Sequence, residues 1–192
     1  YELRKHKGIT YEDAEKQATS NLVYAALLVK NGHADGTLSG AVETTSNVVK
    51  TAIWVLGKAT QVKTVSSCFL IFPKSHEPMI YADCGLVIEP SDEELVDITI
   101  AASQSCKSLL NTDPRIALLS FSTKGSAKHK NTDKILSALK KLKSLEPELL
   151  VDGELQFDAA IDSAVGKIKA PGSKVAGAAN VMIFPNLDAG NI

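Results

Sequence analysis

The chain has 192 residues, 44% of them hydrophobic and 22% charged, with a formal net charge of −1. That near-neutral balance argues against a nucleic-acid groove or a strongly basic membrane face, and the apolar content suffices for one sizeable core or for a domain plus part of a second. The longest apolar stretches, 22–29 and 69–72, fall far short of the roughly 20 residues a membrane-spanning helix needs.

In chain order, a dense basic segment, Glu2-Leu3-Arg4-Lys5-His6-Lys7-Gly8, leads into a helix expected over Tyr11–Lys30, capped by Thr10 and ended by Asn31-Gly32. A short strand with a small-residue loop is expected over Ala34–Ala41, then a second helix from Ser46 to Leu56. Val65–Phe72 is rich in β-formers and nearly all apolar, as for a strand buried on both faces. Met79–Ala82 and Gly85–Ile88 are candidate partners. Ser91 and Glu94 form the signature of a capping box opening a helix to about Leu110. Arg115–Phe121 reads as a buried strand, and Thr132-Asp133 open a Lys-rich amphipathic helix to about Leu145. Leu149–Asp152 is a brief strand, Phe157–Lys167 a short helix and Asn180–Phe184 the last strand. Strands alternating with helices imply a three-layer α/β/α sandwich with a largely parallel, mixed sheet. No repeat and no Pro/Gly linker divides the chain. Tyr1 at one end and Asn191-Ile192 at the other read as cuts from something longer.

In such sheets ligands collect beyond the carboxyl ends of the strands. Three loops of hydroxyls and glycines are expected there: Ser39-Gly40-Ala41 with Thr44-Thr45 at a helix start, Ser120–Ala127 with Thr123-Lys124-Gly125, and Pro185–Asn191. Glycines admit an anion close to the backbone, and hydroxyls donate to its oxygens. Capping and turn duty explains any one such loop equally well; three at equivalent positions point to a phosphate-bearing ligand. There is no GxxxxGK[ST] and no GxGxxG. Lys124, Lys128, Lys130 and Lys134 form either a solvated face or a wall attracting phosphates. Arg115, at the entering end of its strand, reads as structural.

Cys68, Cys84 and Cys106 form no CxxC pair, and His6, His33, His76 and His129 no metal-ligand spacing, so free thiols and no metal site are expected. No Ser-His-Asp or Cys-His set can be assembled. Asp83, Asp152 and Asp158 are the carboxylates nearest strand ends, where turn duty also accounts for them.

Seven segments, ELRKHKG at Glu2–Gly8, ADGTLSGAVETTSNV from Ala34, ADCG at Ala82–Gly85, ALLSFSTKGSA at Ala117–Ala127, VDGELQFDAA at Val151–Ala160, KAPGSKVAG at Lys169–Gly177 and NVMIFPNLDAGN at Asn180–Asn191, resemble in order the phosphate acetyl/butyryl transferase family. The STKGSA loop and the ending are similar to its acetyl branch. The resemblance implies reversible transfer of an acetyl group between acetyl phosphate and coenzyme A, by direct thiolate attack without an acyl-enzyme. It further implies a cytoplasmic, usually homodimeric acyltransferase with no metal or bound cofactor, coenzyme A being a substrate. The parent would have the two-domain architecture of isocitrate and isopropylmalate dehydrogenases, residues 1–192 being a partial domain that forms one wall of the interdomain cleft.

The family's substrate-binding arginine falls on Arg4, and a second falls on Lys50, a departure that keeps the charge and loses the bidentate fork. Ser39, Gly40, Thr44, Thr45, Thr123, Lys124, Gly125 and Asn191 are the further expected contacts to substrate, coenzyme A or phosphate. The family's Ser-Arg pair and catalytic aspartate would lie beyond Ile192, so no catalytic residue is assigned here and residues 1–192 alone are expected to be inactive. The rival readings are a butyryl-type transferase and a non-catalytic transferase-like regulatory domain of a malic enzyme.

Overall fold

The computed structural model describes residues 1–60 and 62–192. Contacts divide the chain into two compact units, Tyr1–Gln61 and Val62–Ile192. No helix among the described residues is long and apolar enough to cross a membrane.

The first unit is helical: α1 (Tyr11–Ala18), α2 (Asn21–Lys30) and α3 (Thr45–Val55) follow a short 3-10 turn at Lys5–Lys7. The helix expected over Tyr11–Lys30 is therefore two helices. Thr19 Oγ1 turns back to donate to the Lys16 carbonyl at 2.7 Å, and Ser20 takes an extended conformation; side chains of this kind compete with the helical ladder. Residues 34–41 form no strand. Among the described residues of this unit there is no strand to take their N–H and C=O groups. α3 begins where Thr44 Oγ1 accepts the Asn47 N–H at 3.2 Å.

The second unit carries β1 (Phe69–Ile71), β2 (Met79–Ala82), α4 (Asp92–Ser105), β3 (Ile116–Leu119), α5 (Lys130–Leu145), β4 (Val151–Leu155), α6 (Phe157–Ile161), α7 (Ser163–Lys169), β5 (Val181–Ile183) and α8 (Leu187–Asn191). The sheet order is β1-β2-β5-β3-β4, antiparallel only at β1. Expected ends move where pairing decides. Of residues 65–72 only Phe69–Ile71 pair, at the sheet edge, so Phe69 and Leu70 stay exposed instead of buried on both faces. Residues 85–88 join no strand; the Ile88 carbonyl instead accepts the Leu187 N–H at 2.9 Å. The helix over Phe157–Lys167 breaks at Asp162, whose carboxylate accepts the Ala164 and Val165 N–H groups and caps α7. The last strand in sequence is the central one in space.

Alternate residues of the strands divide the core in two. Ile80, Ile116, Leu118, Val181 and Ile183 pack under Leu95, Ile98, Ile135 and Leu142 of α4 and α5. Ala117, Leu119 and Met182 face Ala160, Val175 and Ala179 across the other side. This is the α/β/α layering expected from the alternating pattern. Ser91 and Glu94 form the capping box at the start of α4, as the sequence predicts.

One irregularity positions the site. Between Ala117↔Asp152 and Leu119↔Leu155 the pairing register slips by one residue of β4. Val151 thus joins one core layer and Leu155 the other, although four residues apart they would share a face of a regular strand. The extra residue lets the side chain of Glu154 point along the rim.

Candidate functional site

In the second unit β2, β5, β3 and β4 run parallel, so their carboxyl ends open on one rim. Asp83, Pro185, Ser120 and Gln156 follow these ends.

The loop after β3 is folded around a carboxylate. Glu154 is 1% exposed and accepts the Ser122 hydroxyl at 2.9 Å and the Gly125 N–H at 2.7 Å. Its own carbonyl takes the Lys124 N–H at 3.1 Å. Lys124 and Gly125 both have positive φ, 50° and 82°; glycine serves the second position without strain. Ser126 Oγ accepts the Thr123 N–H at 3.1 Å, and Ser122 Oγ takes the Ala127 N–H at 3.0 Å. The Gly125 N–H and the Ser122 hydroxyl of this loop are thus engaged by a carboxylate from β4.

The cation beside it is engaged as well. Lys124 Nζ pairs with Asp152 and donates to the Gly153 carbonyl at 3.0 Å. Asp152 also accepts the Ser173 hydroxyl at 2.5 Å, tying the Lys169–Gly177 segment to the same corner. Burial pushes the Asp152 carboxyl up, but Lys124, Ser173 and the Gly153 N–H outweigh it and hold it below the usual carboxylate value. Thr123 Oγ1 accepts the Gln156 N–H at 2.8 Å. Lys134 is taken by Glu89 and the Pro185 carbonyl, whereas Lys128 and Lys130 are exposed.

At β2 the Asp83 carboxylate accepts Ser67 N–H and O–H and the N–H groups of Gly85 and Leu86, all within 2.9 Å, the turn duty its position suggested. Asn191 donates to the Cys84 carbonyl at 2.8 Å. Gly190 makes this approach possible: a Cβ there would lie 2.6 Å from the Asp83 carbonyl oxygen. Cys84 is fully buried, and its thiol is pushed up to about 11 by burial first, then by Asp83 and Cys68. Arg115 lies at the entering end of β3, paired with Glu77 and donating to the Ala178 carbonyl at 2.5 Å.

The remaining predicted contacts belong to the first unit, which has no strand among its described residues. The loop with Ser39 and Gly40 is therefore not a strand end of this sheet, and the three loops are not at equivalent positions in it. Thr37 and Ser39 hydroxyls lie 3.4 Å apart, Gly40 has φ 120°, Thr44 caps α3 and Thr45 is its first residue. Arg4 stacks its guanidinium over the Trp54 ring, 5.1 Å from the centroid. Trp54 and Lys50 line a cavity of about 580 Å³ with Leu22, Glu43, Asn47 and Ile53.

Reading the sequence missed Glu154, Ser173 and Trp54. A lone glutamate between Gly153 and Leu155 in a strand, and the single tryptophan of the chain, were the available signals.

The model of the phosphate acetyl/butaryl transferase family matches residues 1–192. The chain belongs to that family. It is similar to the phosphate acetyltransferase of Clostridium acetobutylicum, 45% identical across all of this chain and 59% of that protein. That of Acetivibrio thermocellus is 47% identical, again over the whole chain and 59% of its own length. A phosphotransacetylase structure from Streptococcus pyogenes superposes with TM-score 0.88 at 41% identity, covering 99% of this chain and 57% of the other. The chain thus spans about three-fifths of the length of these family members.

Proposed function

We propose that the protein to which these residues belong is a phosphate acetyltransferase, moving an acetyl group between acetyl phosphate and the thiol of coenzyme A. The observation that carries this is identity of 45–47% with phosphate acetyltransferases over the whole chain. The butyryl and malic-enzyme readings have no comparable support.

The chemistry asked of these residues is placement and charge compensation. Arg4, Ser39, Gly40, Thr44, Thr45 and Lys50 of the first unit, and Thr123, Lys124, Gly125 and Asn191 of the second, are the proposed contacts to coenzyme A and phosphate. Lys124 acts there through its pair with Asp152, which fixes the ammonium at the corner between the Ser120–Ala127 and Lys169–Gly177 loops. The thiol of coenzyme A gives up its proton and attacks the acetyl carbonyl as thiolate; the C–O bond to phosphate breaks, and the departing phosphate, which keeps the electron pair and takes up a proton, is met by cations and hydroxyls. Coenzyme A enters and leaves as substrate. The homodimer and the cytoplasmic location expected from the resemblance belong to this proposal.

The test is the full-length protein with acetyl phosphate and coenzyme A, following thioester formation and phosphate release together. Stoichiometric appearance of both supports the reading. No thioester at high enzyme concentration removes it, and a higher kcat/KM for butyryl phosphate transfers it to the butyryl branch.

A further inference from the structure

We propose that Ser173 is a positioning residue for phosphate binding: through Asp152 it fixes the Lys124 ammonium with one N–H left to meet the phosphoryl group of acetyl phosphate. The proposal deepens the acetyl-transfer reading and rests on it for the identity of that anion.

The chain of contacts starts in the core. Ala170 and Val175 are buried in the layer that holds Leu119 and Met182. Between them the Ser173 N–H donates to the Ala170 carbonyl at 3.1 Å. Ser173 Oγ accepts the Val175 and Ala176 N–H groups at 3.2 and 3.0 Å. A hydroxyl has two lone pairs and one proton. Both lone pairs are thus occupied by anchored backbone, and the proton goes to Asp152 Oδ2 at 2.5 Å.

Asp152 is buried. Its other oxygen, Oδ1, accepts Lys124 Nζ and the Gly153 N–H, the latter at 2.9 Å. With Oδ2 held by Ser173, the carboxylate cannot turn without losing a donor, so Oδ1 stays aimed at the ammonium. Lys124 Nζ also donates to the Gly153 carbonyl at 3.0 Å.

An ammonium has three N–H groups. Two are committed to β4, and the third has no partner among the described residues. The Lys124 side chain is 36% exposed, so this donor is open to an anion at the rim. A lysine stem ordinarily loses rotamer freedom when it captures a ligand. Here that ordering is complete on folding, which leaves the charge already in place when phosphate arrives. A serine serving only as a turn cap would use its lone pairs; the proton reaching Asp152 is what links Ser173 to the cation.

The experiment uses the full-length protein as wild type, Ser173→Ala, Lys124→Ala, the double variant and Ser173→Thr, which keeps the hydroxyl. Circular dichroism confirms folding; if Ser173→Ala does not fold, Ser173→Cys, with a similar shape and only a weak donor, replaces it. Steady-state constants are measured for acetyl phosphate and coenzyme A, and for inorganic phosphate in the reverse direction.

Ser173→Ala is expected to raise KM for acetyl phosphate and for phosphate about tenfold, the scale of a lost hydrogen bond to a charged group. KM for coenzyme A should stay within about twofold, and Ser173→Thr should return the phosphate constants to within about threefold of wild type, because the donor is kept. In the Lys124→Ala background, Ser173→Ala should add less than about twofold, since the two side chains act as one unit.

An unchanged KM for acetyl phosphate, an equal rise for coenzyme A, or a full Ser173→Ala effect without Lys124 overturns the proposal. Calorimetry with inorganic phosphate separates it from the parent reading. Phosphate binding weakened by Ser173→Ala in a protein that forms no thioester would retain the positioning role and remove the acetyltransferase.

Discussion

The Glu154 carboxylate takes the Gly125 N–H at 2.7 Å while 1% exposed, so the loop after β3 is organised by an anion that the neighbouring strand supplies. The one-residue slip of β4 against β3 aims that side chain at the loop. Charge inside the fold therefore sets the conformation of the STKGSA segment.

If so, Glu154→Ala strands the Ser122 and Gly125 donors and should cost about 3 kcal/mol of unfolding free energy, against about 1 kcal/mol for Glu154→Gln, which keeps an acceptor oxygen. Urea unfolding of the two variants measures the difference. Equal losses would mean that the carboxyl group is not what the loop folds around.

The Asp152–Lys124 pair gives a pH signature. Because the folded Asp152 carboxyl sits below its ordinary value, it stabilises the fold fully above the unfolded carboxyl range near pH 3.9. That stabilisation is lost as pH falls through the lower folded value. Asp92, Glu94 and Asp158 are held down as well, so Asp152→Asn should reduce the slope of stability between about pH 5 and about pH 3 without abolishing it. An unaltered slope would show that Lys124 and Ser173 do not stabilise the ionised form.

Cys84 should be inert. With its thiol at about 11 and the side chain buried, native protein at about pH 8 carries little thiolate. Alkylation with iodoacetamide followed by peptide mapping should leave Cys84 unmodified until urea unfolds the protein. Rapid native labelling would place the thiol in a different environment.

Gly190→Ala would drive a methyl to 2.6 Å from the Asp83 carbonyl oxygen. Backbone cannot yield as a flexible side chain can, so about 2 kcal/mol of destabilisation is expected. The Asn191 hydrogen bond to the Cys84 carbonyl should open too. Thermal unfolding, with hydrogen exchange across 187–191, reads both effects; a variant as stable as wild type would show that α8 shifts freely.

Much was legible along the chain because it depends on near neighbours. The capping box of Ser91 and Glu94, the Thr44 cap and the buried strand around Ile116–Leu119 follow from patterns a few residues long. The loop of hydroxyls and a glycine at 122–126 was legible for the same reason. Its occupant was not, since Glu154 lies some thirty residues on and reaches the loop only across the β3–β4 pairing.

Local sequence determined which segments become helices, which strands are apolar on both sides and where polar loops fall, because caps, periodicity and turn residues act over one or two turns of chain. Tertiary structure alone decided that the last strand in sequence is central, that β1 lies at an exposed edge, that residues 34–41 stay outside any sheet and that Lys124 faces Asp152. Each of these depends on which distant backbone or charge is available as a partner, and a hydrogen bond or ion pair has no signature until both of its ends are brought together.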